Sequence, residues 1–158
     1  MNAMSFILLN FEEVRRRSIE VWMSIPQDKL DWRPDPEAMS CREMIHHVLE
    51  GEYLYHQMLE KPLNLSLTEE HNPYKPITFS SVEEALKFAQ PYREKFIEFL
   101  GLLNEKQLTE IKIDRSEMGY IRELGDMLLR VAYHESVHTG QLLDYLRTAK
   151  VPCPLIWD

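Results

Sequence analysis

The chain of 158 residues predicts an all-α fold, a four-helix bundle with a long connection between its second and third helices. Four stretches of about 20 residues repeat their apolar positions at helical spacing. The gaps between them carry prolines and helix-capping residues. With 44% apolar residues and 10% aromatics, the chain can bury one core, as a single domain over residues 1–158.

The first helix is expected from about Ser5 to Ser24, where Leu8, Phe11, Val14, Ile19 and Trp22 recur at helical spacing until Pro26. Met1, Asn2 and Ala3 precede a second methionine, Met4, and read as an expression scar. After a proline-rich connection from Asp31 to Pro36, Ser40 and Glu43 form a capping box. They open a second helix that reaches about Leu59, before Pro62. Lys61 to Phe79 holds three prolines and no sustained period, and reads as a long loop of the kind that often rims a functional site. Its length allows the second and third helices to run parallel. Ser80 and Ser81, each three residues before a glutamate (Glu83, Glu84), open a third helix through about Leu103, with a kink or break expected at Pro91. Thr109 to Gly119 alternates weakly through Ile111 and Ile113, as a short extended piece would. The fourth helix, Ile121 to about Thr148, has the strongest period, and only the tail VPCPLIWD follows.

A net charge of −8, with 18 basic against 26 acidic residues, argues against nucleic acid as a partner, because phosphate binding needs a basic patch. Arg15, Arg16 and Arg17 form the sole cationic cluster in the sequence. The apolar runs fall far short of the roughly 20 residues that span a bilayer, and no signal peptide is recognisable, so no membrane partner and a cytoplasmic location are expected. Cys41 and Cys153 are too few and too far apart for a disulfide framework or a paired-cysteine zinc site, and read as inert thiols.

Histidine carries the functional signal. In HESVH, His134 and His138 are spaced i, i+4 and share one helical face, close enough to share a metal. Leu124, Met127, Leu128, Val131, Leu142, Tyr145 and Leu146 define the apolar stripe of that helix, with His134, Glu135 and His138 on or beside it. On the second helix the stripe is drawn through Met44, Val48, Gly51, Tyr55 and Met58, which turns His47 inward and His46 outward with Glu43, Glu50 and Tyr53. Buried imidazoles need a partner, and a single one is usually satisfied by a neighbouring side chain. Three from two helices favour a ligand set with an open fourth position, the catalytic pattern. His56 and His71 lack such company and read as surface or rim residues.

Two other metal patterns fit less well. HESVH matches the zinc-protease motif HExxH, but only 20 residues follow His138 and Asp144 and Asp158 are their sole carboxylates. A di-iron bundle would draw on the pairs Glu43/His46 and Glu135/His138, with Glu13, Glu20, Glu94 and Glu98 as possible partners; that site would need His46 inward.

The segment SCREMIHHVLEGE, with a serine cap and Arg-Glu before His47 and Glu52 five residues after it, resembles helix 2 of the DinB-like, YfiT-type four-helix metalloproteins. HESVHTGQLLDYLR is similar to that family's last-helix signature, and VPCPLIWD to its proline-rich ending with a tryptophan. The resemblance implies a divalent metal, nickel or zinc, on His47, His134 and His138. It also implies a homodimer and thiol-cofactor transferase or isomerase chemistry on a small-molecule substrate. A metal could lower the pKa of a bound low-molecular-weight thiol or of water, with Glu135 or Glu52 assisting as base or as an ion-paired orienter of a histidine. A metal-dependent hydrolase and a non-catalytic metal-binding stress-response bundle are the alternatives.

Overall fold

Side-chain caps start three of the four long helices. The structure, a computed structural model, describes residues 2–63 and 71–157. Asn2 Oδ1 accepts from the Ser5 amide at 2.9 Å and opens helix α1 (Ala3–Met23) two residues before the expected Ser5. Ala3, read from the sequence as part of a scar, donates its amide to Glu105; Met1 lies outside the described residues. Ser40 and Glu43 form the expected capping box of α2 (Cys41–Glu60). Ser81 Oγ accepts from the Glu84 amide and caps α3 (Val82–Leu102). The break expected at Pro91 does not occur, since α3 runs through it. Ala89, Phe96 and Phe99, buried on either side, supply the packing that offsets the lost hydrogen bond.

A short helix, α4 (Glu105–Glu110), follows. The weakly alternating piece is the first half of an antiparallel hairpin, β1 (Lys112–Arg115) and β2 (Tyr120–Glu123), with Lys112 opposite Glu123 and Arg115 opposite Tyr120. Gly119 takes the turn position at φ +85°, open to glycine at no steric cost. Because Tyr120 to Glu123 are paired as a strand, the last helix, α5 (Leu124–Thr148), begins three residues after the expected Ile121. Of the long connection, Lys61–Leu63 form a 3-10 turn and residues 64–70 lie outside the described residues. Residues 71–79 fold back on α2 and bury Tyr74 and Phe79.

Side-chain pairs fix the helix directions. Glu52 meets Arg93 and His56 meets Phe96, so α2 and α3 are parallel, the arrangement that the long connection permits. His47 lies beside His138 while Gly51 lies beside His134, so α5 is antiparallel to α2. Arg15 meets Glu135 and Ser18 meets Thr139, so α1 runs parallel to α5. Among the described residues no helix is long and apolar enough to cross a membrane.

The core is divided at its waist. One apolar cluster holds Trp22, Met44, Val48, Leu49, Ala85 and Leu142. The other holds Phe11, Leu59, Phe96, Phe99, Leu124 and Leu128. Between them, at mid-height of all four long helices, lie Arg15, Glu52, Arg93 and Glu135.

Candidate metal centre

His134 and His138 stand one turn apart on α5, and the antiparallel α2 brings His47 against both. The ring centroids are 4.9 Å apart for His47 and His134, 4.9 Å for His47 and His138, and 4.6 Å for His134 and His138, each pair edge to face. The Nε2 atoms of His47 and His134 approach to 2.9 Å. One ring nitrogen from each of the three residues lies within 4.8 Å of the others, a cluster that could hold a metal ion.

The chemistry of the donors suits that use. Burial pushes the His134 imidazole down to about 4, with His138 and His47 adding to the effect. Burial also lowers His47. Both are neutral near pH 7, the form that offers a lone pair to a cation. His138 Nδ1 hydrogen-bonds Gln141 Oε1 at 2.6 Å; with the amide oxygen as acceptor, the proton sits on Nδ1 and the lone pair on Nε2. An outer partner of this kind fixes both tautomer and ring orientation.

Glu135 and Glu52, expected as a base or as an ion-paired orienter of a histidine, both lie in ion pairs with arginine. Arg15 Nε donates to Glu135 Oε1 at 2.7 Å and Arg15 Nη2 to Oε2 at 3.0 Å, a two-point pairing. Arg15 Nη2 also reaches Glu52 Oε2 at 3.1 Å, and Arg93 donates to that same oxygen and to the Phe11 carbonyl. Burial works to raise the Glu135 carboxyl, and Arg15 outweighs it, leaving the group below the ordinary carboxylate range. Burial likewise works against the Arg15 charge, and the two glutamates hold its pKa above the usual value. Both carboxylates are charge partners of the core, and Glu135, committed to Arg15 at two points, is a weak proton acceptor.

The remaining histidines separate clearly. His46 points away from the cluster, as the helical wheel indicates, and packs on Tyr74 and Phe79 at 6.0 and 5.5 Å. Glu43 is taken by the Ser40 cap and by Arg33, so the Glu43/His46 pair of a di-iron site is not assembled. His71 is an exposed rim residue, as expected. His56 is not: only 3% exposed, it lies against Phe96 and Phe99. Tyr53, placed on the outer face with His46, is buried too. The wheel drew too narrow a stripe, because α2 is covered on several sides, by α3, α5 and the 71–79 segment.

Sequence reasoning missed Arg15 and Arg93. The signal for Arg15 was present, since Phe11, Arg15, Ser18 and Trp22 form one buried stripe of α1 at helical spacing. Arg93 leaves no comparable trace, because its partners come from α1 and α2.

A family model of the DinB superfamily matches residues 10–142. The curated uncharacterized protein YjoA of Bacillus subtilis (strain 168) is 27% identical over 142 residues, covering 89% of this chain and 87% of that protein. The crystal structure of the DinB-like protein YjoA from Bacillus subtilis aligns with a TM-score of 0.70 at 23% identity, covering 95% of this chain and 96% of the other. A DinB-like protein from Bacillus cereus ATCC 10987 gives a TM-score of 0.70 at 18% identity over 96% and 95% of the two chains. These structural likenesses speak for the fold. The family match reaches from α1 into α5 and takes in His47, His134 and His138, and the chain belongs to the DinB superfamily.

Proposed function

We propose that His47, His134 and His138 hold one divalent metal, nickel or zinc, and that the protein transfers a low-molecular-weight thiol onto small electrophiles. The observation that carries this reading is the convergence of three imidazole nitrogens from two helices within 4.8 Å. Three protein nitrogens leave a position open. When bound, a divalent metal would supply acidification of a small thiol at neutral pH. A thiol so acidified would bond through sulfur to the electrophilic carbon as the leaving group left with the bonding pair, and the thiol proton would pass to solvent.

The chain's own residues prepare the donors. Gln141 holds the proton on His138 Nδ1, and burial keeps His134 and His47 neutral. The thiol comes from outside the chain. Cys41 is buried, and burial pushes its thiol up to about 11; the Cys153 thiol donates to the Leu143 carbonyl at 3.6 Å.

Calorimetric titration of metal-free protein with Zn2+ and with Ni2+ tests the site. Alanine at His47, His134 or His138 abolishes tight uptake, and His46→Ala leaves it intact; equal losses at His46 and His47 overturn the assignment. Metal-loaded protein is then offered glutathione, bacillithiol or mycothiol with a chromogenic electrophile. Turnover above that of the His138→Ala variant supports the transferase. Cleavage of ester or amide probes with no thiol transfer replaces it with a hydrolase.

A further inference from the structure

Gly51 sits within α2, one turn after His47. Glycine there weakens the helix relative to alanine, and its backbone does not require it: among the described glycines only Gly119 has positive φ. The reason lies across the helix interface. A Cβ built on Gly51 falls 3.0 Å from His134 Cε1 and 3.5 Å from His134 Nδ1. The first distance is well inside ordinary carbon–carbon contact, so any side chain at 51 has to displace the imidazole.

We infer that Gly51 is a positioning residue of the histidine cluster: its bare backbone lets the His134 ring lie on α2 at the height where it meets His47. The inference rests on the metal reading above. Ligand distances in a metal site hold to within about 0.2 Å, and a methyl group at 51 requires the ring to give by a few tenths of an ångström. The same methyl group favours the α2 helix itself. In the metal-free protein the gain in helix propensity and the cost of shifting the ring oppose one another, so metal affinity falls much further than apo-protein stability, which ordinary damage to packing does not produce.

Gly140 provides the matched control. It lies inside α5, two residues after His138, and a Cβ there meets nothing within 4 Å.

The experiment compares wild-type protein, Gly51→Ala and Gly140→Ala by Zn2+ titration and by thermal melting of the metal-free forms. It adds the NMR contact between His134 Hε1 and the Gly51 Hα protons in metal-free protein. Gly51→Ala is expected to weaken Zn2+ binding by about 10–100-fold, the range for loss of a ligand-orienting partner, with its apo melting temperature within about 2–4 °C of wild type. Gly140→Ala should raise the apo melting temperature by about 2–4 °C and leave Zn2+ affinity as in wild type. Wild-type affinity in Gly51→Ala overturns the inference, and so does an apo form of that variant that no longer folds, which would make Gly51 a packing residue. If wild-type protein takes up no Zn2+, the metal reading fails by itself and the NMR contact still decides. Its presence in wild type, with His134 ring signals displaced in Gly51→Ala and not in Gly140→Ala, upholds the positioning role; its absence overturns it.

Discussion

His56 lies against Phe96 and Phe99 at 5.3 and 5.2 Å, with Nε2 at 3.1 Å from Glu60 Oε1. Burial pushes its imidazole down to about 4, with a small push from Lys95, and burial raises the Glu60 carboxyl. His56 is therefore held neutral near pH 7 by its surroundings, and the Glu60 carboxyl sits above its ordinary value. Unfolded His56 takes a proton near its ordinary 6.5 while the folded form resists until about 4. Between those values the unfolded state binds more protons, so stability falls as pH falls, by up to about 1.4 kcal/mol per pH unit. Glu60 acts in the opposite sense, since a raised carboxyl favours the folded state at acid pH and loses that contribution as pH rises through its folded pKa. In metal-free protein His134 adds to the His56 effect. Urea unfolding at pH 7 and at pH 4.5 should show wild type losing more stability on acidification than His56→Phe. Equal losses in the two proteins would refute this account. At this scale the histidine cluster was legible in the sequence, because the i, i+4 pair and His47 fall on apolar stripes. His56 was not, since its burial comes from α3, across a connection whose course the sequence does not specify.

The long helices were legible from their own residues: Ser40 with Glu43 and Ser81 with Glu84 mark starts, and the apolar period marks their length. The hairpin was only half legible, since four-residue strands are too short to set a period and Tyr120 to Glu123 read equally well as a first helical turn. What joins the helices was not legible, because the ion pairs link residues far apart in the chain. Arg15 of α1 binds Glu52 of α2 and Glu135 of α5, and Arg93 of α3 completes the layer. Arg15→Met leaves both glutamates buried with one cation fewer and should cost about 3–5 kcal/mol, the usual penalty for breaking a buried pair. Adding Glu135→Gln should recover part of that loss, and chemical denaturation of the single and double variants measures it. A loss below about 1 kcal/mol in Arg15→Met would show that the layer contributes little to holding the four helices in register.

Across the whole molecule, the charged layer separates two apolar clusters that share no buried residue among those described. Leu59 belongs to one and Leu142 to the other, and both are fully buried. Each Leu→Ala change should destabilise the protein by about 2–5 kcal/mol. Sites without shared partners combine additively to within about 0.5 kcal/mol, so the double variant Leu59→Ala/Leu142→Ala should show the simple sum by denaturant titration. Two truncations inside one cluster, such as Phe96→Leu with Leu128→Ala, have neighbours in common and should depart from it. Unfolding is nevertheless expected to remain a single transition in a thermal or denaturant melt, because all four long helices pass through both halves. The polar waist thus acts as an insulating partition: the two halves can accumulate substitutions and repack on separate histories, provided that the four charged side chains between them are kept.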